Sequence, residues 1–552
     1  MITKYIITNY AKEHKMLLIA YAIVVMIAFP IDAIAMSYIY GKIFNEFSKK
    51  KQSLDLIRNF FIAAVIVWML VKVCKYIKTY LNSLIIPSFY RYAREVLFDR
   101  VISKYKVNYS EPRIGDILTS FTELPYNIYS ISNRMLNDHI PILFALIGII
   151  GYTFYISPLF GAIMIIGFLF SAYITYIMSD KCIVANNKEH REYKTQNEDI
   201  QDKFSNLFNI YTSNTDEYEK MKNYIKEKDL ELLTIDSINC SGSLKLYVTI
   251  ISSALFIISF YYIFTMYKKR FLPTTLLITS TIMLTRYFNY FGSFFSGLGY
   301  TFHIIGALQV DDKFLDDVRD IDTSKRVKNI QIKSGAVTFQ NVTFKYDNSS
   351  KDILRNATFT IAPNKISTIF GRSGIGKTTL VKLMMGFYQL HGGNVYIDGQ
   401  NINQINLEKL RSNIAFVNQK VDLFNDTVIH NIKYGNKVTA AQIQRYIEQN
   451  RILPVFKNLQ NGLNTIVGVN GANLSRGQRQ TVLLLRAMMR QTKIIIFDEP
   501  TSALDPKTKS SIMGLIKKLS RGRTVLIITH DQDVLKYTDH RYKLEEGQLK
   551  RF

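Results

Sequence analysis

Two adjacent carboxylates, Asp498 and Glu499, directly follow the wholly apolar run Ile494-Ile-Ile-Phe497. A carboxylate pair at the end of a buried strand can divide labour: Asp498 can organise Mg²⁺, and Glu499 can polarise an attacking water as general base. The group to be attacked is supplied by a second motif. Gly371, Arg372, Ser373, Gly374, Ile375, Gly376, Lys377, Thr378 and Thr379 fit the pattern G-x-x-x-x-G-K-[ST]. In that pattern glycine N–H groups surround phosphate oxygens, Lys377 reaches the terminal phosphates and the Thr378 hydroxyl holds Mg²⁺.

These side chains need elements to hold them. The apolar run Ile366 to Phe370 reads as a buried strand and Lys377 to Gly386 as a helix, so the glycine turn lies where a helix N-terminus adds its positive dipole end. Gln419 ends the strand-like Ile414 to Asn418, placing it to sense the γ-phosphate or to share the Mg²⁺ site. His530 caps the buried strand Thr524 to Thr529 as a γ-phosphate donor, and Tyr346 follows the alternating Val337 to Lys345 as an adenine-stacking ring. Each of these three alone is an ordinary residue; they gain weight as a set.

With 552 residues the chain exceeds one core, so several domains are expected. The long apolar runs lie in the first three hundred residues, and from about Gln331 the sequence reads as a soluble α/β domain. The expected division is a transmembrane domain over 1–310, a charge-dense linker over 311–330 and a nucleotide-binding domain over 331–552. A net charge of +25 is scattered rather than gathered into a basic arm, which disfavours nucleic acid and favours an anionic membrane surface. Cys74, Cys182 and Cys240 have no metal-like spacing and predict no disulfide framework. No cleavable signal peptide is expected, because the first apolar run is long enough to span and ends at no small-residue cleavage site.

Six stretches reach the roughly 20 residues needed to cross a bilayer: Met16 to Tyr40, Ile57 to Leu81, His139 to Ile156, Phe160 to Met178, Leu244 to Met266 and Leu272 to Tyr300. The connections after the second and fourth are long and polar, and each holds a short helix, near Ile114 to Thr122 and near Phe204 to Ser213. Since a nucleotide-dependent domain faces cytosolic ATP, both long connections are expected there too. Arg91, Arg94 and Arg100 agree with that orientation, whereas Lys49, Lys50 and Lys51, and Lys268, Lys269 and Arg270, fall in short loops expected outside. Asp311 to Lys328 reads as a helical continuation of the last span.

In order, Tyr346, the phosphate loop, Gln419, Leu474-Ser-Arg-Gly-Gln478, Ile494 to Glu499, Ser502-Ala-Leu-Asp505 and His530 resemble the half-size ATP-binding cassette (ABC) exporters. The resemblance is carried by motifs in the C-terminal domain and by architecture in the membrane half. It implies a multidomain fold, an all-α six-helix transmembrane domain followed by an α/β P-loop ATPase of the ABC type. It also implies ATP and Mg²⁺ as cofactors, and a head-to-tail dimer in which Ser475, Gly477 and Gln478 act on the partner's nucleotide. The partner is a second copy or a related half-transporter, with membrane lipid around it and no nucleic acid. ATP closure would open the pathway outward, and hydrolysis would reset it, in a bacterial inner membrane. Arg476 stands where the family usually has Gly, and Val469 where exporters commonly carry Glu.

Cargo is less directly written. Asp32 and Arg286 are ionisable residues inside spans, hence either a structural pair or part of a pathway lining. Tyr287, Phe288, Tyr290, Phe291, Phe294 and Phe295 crowd the sixth span, more as packing than as a binding box. The expected activity is ATP-driven efflux of a lipid, peptide or amphipathic small molecule. A membrane-anchored ATPase that regulates a partner is the alternative, and an ATP-gated channel fits poorly with a complete set of hydrolytic residues.

Overall fold

The computed structural model describes residues 2–49, 53–104, 106, 114–316, 329–346, 352–372, 374–418, 423–501 and 506–552. Two units divide the chain, one built on Met1–Lys104 and Glu111–Arg319 and one on Tyr105–Ser110 and Asp320–Phe552.

The first unit is helical. α1 (Ile2–Glu13) precedes α2 (Lys15–Phe47), α3 (Leu54–Lys104), α4 (Ile114–Arg134), α5 (Ile140–Ile156), α6 (Pro158–Ser205), α7 (Leu207–Thr212), α8 (Asp216–Lys268) and α9 (Thr274–Asp316). A short π-helical stretch, Met135–His139, joins α4 to α5 without a break. Long helices are what near-continuous apolar sequence must form where no water can satisfy backbone groups. Many large side chains accordingly point outward, Trp68, Leu70, Tyr155, Ile166 and Ile257 among them. Prolines at 30, 87 and 125 lie inside α2, α3 and α4 without ending them. At Pro30 the neighbouring α5 comes close: a Cβ on Gly148 would lie 2.7 Å from the proline's Cβ, so only glycine admits that approach.

By length and composition, five helical segments among the described residues can cross a membrane: Lys15–Phe47, Leu54–Ser103, Phe121–Ile156, Pro158–Ser205 and Asp216–Lys268. The sixth expected crossing lies on α9, which is helical throughout but is not among the five. Its interleaved Thr, Ser, Gly and Tyr residues dilute the apolar run, and they suit an interior position: Tyr287, Phe291 and Phe295 are fully buried, with Thr279 and Ser280 beside them in burial. The sixth-span aromatics therefore pack. Phe168 meets Phe291, Phe294 and Phe295 with ring centroids 5.4 to 6.4 Å apart.

Two expectations need correction. Cys182 on α6 and Cys240 on α8 are joined as a disulfide, with Cα atoms 5.5 Å apart, although their spacing suggested no framework. Antiparallel packing of α6 and α8 brings the ends of their apolar stretches together, which a separation of 58 residues conceals. The expected short helix at Ile114 to Thr122 is the first half of α4, 21 residues long. α9 continues to Asp316, and the remainder of the expected helical continuation, 317–328, lies outside the described residues.

The second unit is α/β. Its strands are β1 (Val337–Phe344), β2 (Leu354–Ile361), β3 (Ile366–Phe370), β4 (Gly392–Ile397), β5 (Gln400–Asn401), β6 (Ile414–Val417), β7 (Ile494–Asp498), β8 (Thr524–Thr529), β9 (His540–Glu545) and β10 (Gln548–Arg551). Its main helices are α10 (Lys377–Met384), α11 (Leu407–Ser412), α12 (Val428–Lys433), α13 (Ala440–Gln449), α14 (Arg476–Met489) and α15 (Pro506–Leu519). One sheet has the order β2-β1-β4-β5 and the other β10-β9-β3-β8-β7-β6. β3, β7 and β8 are buried along nearly their whole length, as expected of central parallel strands covered on both faces.

Candidate nucleotide site

The register of the parallel sheet gathers the sequence-predicted chemistry. Phe370 of β3 pairs with Thr529 of β8, and Ile528 of β8 pairs with Asp498 of β7. The glycine turn after β3, the carboxylates ending β7 and His530 after β8 must therefore emerge at one edge. That edge, at the carboxyl ends of the strands, is where open α/β sheets bind ligands.

Two glycines shape the loop between β3 and α10. Gly374 and Gly376 have φ of +76° and +107°, conformations that other residues rarely hold. A Cβ on Gly376 would also lie 2.4 Å from Ile353 Cγ2, whereas one on Gly374 would meet nothing within 4 Å. The turn is thus packed from behind and open in front, as a phosphate cradle must be. Ser373 lies outside the described residues. Lys377, nearly buried, donates from Nζ to the carbonyl oxygens of Gly371 at 2.8 Å and Arg372 at 2.9 Å. Burial pushes its pKa down, and the carboxylates of Glu499 and Asp498 act in the opposite direction.

Thr378 donates from Oγ1 to Asp498 Oδ2 at 2.8 Å. Burial raises the Asp498 carboxyl pKa; the Thr378 hydrogen bond and Lys377 lower it, while the neighbouring Glu499 charge adds to the rise. A hydroxyl and a buried carboxylate in contact form the all-oxygen donor set that a hard dication prefers.

Glu499 is held from several sides. Its Oε1 accepts from the His530 backbone N–H at 3.1 Å and lies 2.7 Å from His530 Nδ1; Oε2 accepts from the Thr529 hydroxyl at 3.4 Å. Its φ is +53°, and its N–H donates to Ile528 at 2.9 Å. The side chain is therefore fixed beside Asp498, while His530 is 61% exposed and free to face a ligand. Thr529 was not singled out from sequence; as the last residue of an apolar strand it gives no local signal of its contact with Glu499.

Tyr346 is placed against the loop. Its hydroxyl lies 2.9 Å from Thr379 Oγ1, and its ring meets Phe344 and Tyr388 edge-on, with centroids 5.2 and 5.3 Å away. Gln419 and Ser502 to Asp505 lie outside the described residues. The parallel sheet thus brings together Lys377, Thr378, Asp498, Glu499 and His530, and Tyr346, following β1 of the other sheet, joins them through Thr379.

Ser475, Gly477 and Gln478 form a separate locus. Ser475 caps α14 reciprocally with Gln478: Gln478 N–H donates to Ser475 Oγ at 3.3 Å, and Ser475 N–H donates to Gln478 Oε1 at 2.9 Å. Gln478 Nε2 also donates to the Val455 carbonyl at 3.0 Å. Beside this cap is a cavity of about 640 Å³ lined by Ser475, Gly477, Gln478, Arg451 and Lys507, among others, and by no described residue of the phosphate loop. A Cβ on Gly477 would meet only Thr508 Cγ2 at 3.5 Å, an ordinary contact, so packing within this chain does not require glycine there. Arg476 is the first residue of the helix and is exposed, as is Val469.

In the first unit, Asp32 is paired rather than alone. Lys75 Nζ donates to its Oδ2 at 2.6 Å, and Arg286 donates to its backbone carbonyl at 2.8 Å with the carboxylate 3.7 Å away.

Residues 354–502 match the family model described as ABC transporter, which marks the second unit as an ATP-binding domain. Over 238 residues the chain is 37% identical to the ATP-dependent lipid A-core flippase of Pasteurella multocida (strain Pm70), a stretch covering 43% of this chain and 40% of that protein. Over 247 residues it is 36% identical to the flippase of Escherichia coli (strain K12), covering 44% and 42%. The match thus spans about 40% of these relatives' length. A solved bacterial Atm1-family ABC exporter with ATP bound superimposes with a TM-score of 0.86 at 21% identity, over 97% of this chain and 94% of that one. The chain thus shares the fold of that exporter, a helical first unit followed by an α/β unit, and its second unit carries the match to the ABC transporter family.

Proposed function

We propose that the chain is one half of a dimeric, ATP-driven exporter that works by alternating access in a bacterial inner membrane, with a lipid or another amphipathic molecule as cargo. The observation that carries this reading is the convergence of Lys377, the Thr378–Asp498 pair and the Glu499–His530 pair at one sheet edge. Lys377 would exchange its loop carbonyls for terminal phosphate oxygens. Thr378 and Asp498 would hold Mg²⁺, which when bound supplies charge neutralisation on the phosphates. Glu499, oriented by His530 and Thr529, would accept a proton from water aligned with the γ-phosphate.

Ser475, Gly477 and Gln478 line a cavity that holds no described residue of the phosphate loop, which supports a second chain completing each nucleotide site. That chain is a second copy or a related half-transporter. The complete set of hydrolytic residues in this chain favours two working sites in a homodimer. In the first unit, α7 and its flanks leave Phe204, Phe208 and Tyr211 strongly exposed beside a cavity of about 680 Å³. Lipid cargo is favoured by the flippase relatives.

The deciding experiment measures ATP hydrolysis by the purified protein in lipid nanodiscs while lipids, peptides and drugs are added in turn. Stimulation by a lipid, with transfer of that lipid between leaflets in proteoliposomes, supports the reading. Hydrolysis indifferent to every cargo class would point instead to the regulatory ATPase.

A further inference from the structure

Away from the nucleotide machinery, three helices of the first unit bring Glu123, His190 and Asp311 together. They come from α4, α6 and α9, and each presents one liganding atom within 4.8 Å of the others. His190 Nε2 lies 3.4 Å from Glu123 Oε2 and 3.8 Å from Asp311 Oδ1. Yet Glu123 Oε2, His190 Nε2 and Asp311 Oδ2 make no hydrogen bond, and all three atoms are buried. Asp311 is wholly buried. Unsatisfied buried polar atoms are costly, and three of them on side chains that converge from three separate helices call for a ligand.

We propose that Glu123, His190 and Asp311 bind a divalent transition-metal cation of the Zn²⁺ class. A cation with bonds of about 2.0–2.2 Å in tetrahedral geometry separates its ligand atoms by roughly 3.3–3.5 Å, so the cluster needs only a modest contraction. An imidazole nitrogen with two carboxylate oxygens suits zinc or manganese better than magnesium or calcium, which favour all-oxygen sets. Glu123, whose side chain is 24% exposed, supplies an entry path and room for water as a fourth ligand. Tyr193 stacks beside the His190 ring at a centroid distance of 6.3 Å and steadies its orientation.

Two simpler accounts leave atoms unsatisfied. Protonation of His190 gives Nε2 one proton to donate, and Asp311 Oδ2 still has no partner. Lys194 donates to Asp311 at 2.7 Å, but to Oδ1, the other oxygen. The lysine therefore neutralises one carboxylate without filling the site, and its charge beside the cation weakens binding.

The test uses the full-length protein in detergent micelles, stripped by chelation and titrated calorimetrically with ZnCl₂ or MgCl₂. One Zn²⁺ per chain, a higher melting temperature with zinc and no saturable response to magnesium are expected. His190→Asn and Glu123→Gln should each weaken zinc binding at least tenfold. Lys194→Gln keeps all three ligands and should bind at least threefold more tightly. Melting of each metal-free variant separates lost binding from lost folding. Absence of saturable zinc binding, equal binding by the wild type and His190→Asn, or no tightening in Lys194→Gln overturns the proposal.

Discussion

His530 holds Glu499 twice through one carboxylate oxygen, by its backbone N–H at 3.1 Å and by Nδ1 at 2.7 Å. Both contacts fix the carboxylate beside Asp498, on the edge where the phosphate loop emerges. Replacing Glu499 with Gln keeps the shape and removes the proton acceptor. Steady-state ATP hydrolysis should fall at least about 100-fold, while nucleotide binding persists and cross-linking detects a trapped dimer. Unchanged turnover would remove Glu499 from the role of base.

Lys377 is a buried ammonium that donates hydrogen bonds to the neutral carbonyls of Gly371 and Arg372. Lys377→Met should abolish hydrolysis, yet leave the melting temperature of the nucleotide-free protein unchanged or raised, because a buried charge costs more to desolvate than a thioether. A large drop in nucleotide-free melting would mean that the lysine is needed for folding.

Asp398, in the β4–β5 turn, accepts hydrogen bonds from the backbone N–H groups of Lys333, Ser334, Gly335 and Ala336 and from the Ser334 hydroxyl, at 2.6 to 3.0 Å. Burial alone would raise its pKa, but the Ser334, Gly335 and Ala336 hydrogen bonds together carry it down to about 2. Because the folded value lies below the unfolded value of about 3.9, the stabilisation is complete above pH 4 and is lost as pH falls through about 2. The shift corresponds to about 2.5 kcal/mol. Amide exchange at 334–336 should accelerate over that window, and Asp398→Ala should accelerate it at neutral pH, with a loss of about 2–4 kcal/mol.

The Cys182–Cys240 bond closes a loop of 58 residues between α6 and α8. Alkylation of the unfolded protein without reductant should label Cys74 alone, and labelling after reduction should reach all three cysteines. Replacing both bonded cysteines with Ser should lower stability by about 2–4 kcal/mol, read as a lower melting temperature. Labelling of three cysteines without reductant would remove the bond.

Much of the nucleotide site was legible because its motifs are local. An apolar run followed by Gly371 to Thr379, by Asp498 and Glu499, or by His530 states both the strand and what stands at its end. Register then does the rest: once β3, β7 and β8 are neighbours, their ends coincide. What escaped the sequence depends on how long helices face one another. Asp32 meets Lys75 across 43 residues, and Glu123, His190 and Asp311 converge from three helices. Helical periodicity says which residues share a face, but not which face of another helix lies opposite. Asp398 was equally silent, since an Asp-Gly pair reads as a turn and not as a hub for an incoming chain.

The grip of Lys377 on Gly371 and Arg372 also bears on how the cycle turns over. The ammonium is bonded to carbonyls of the same segment that would cradle phosphate. Arrival of a nucleotide is then a swap of partners, and departure is the reverse swap back to a well-bonded rest state. The segment that would receive phosphate therefore also offers the carbonyls to which the lysine can return.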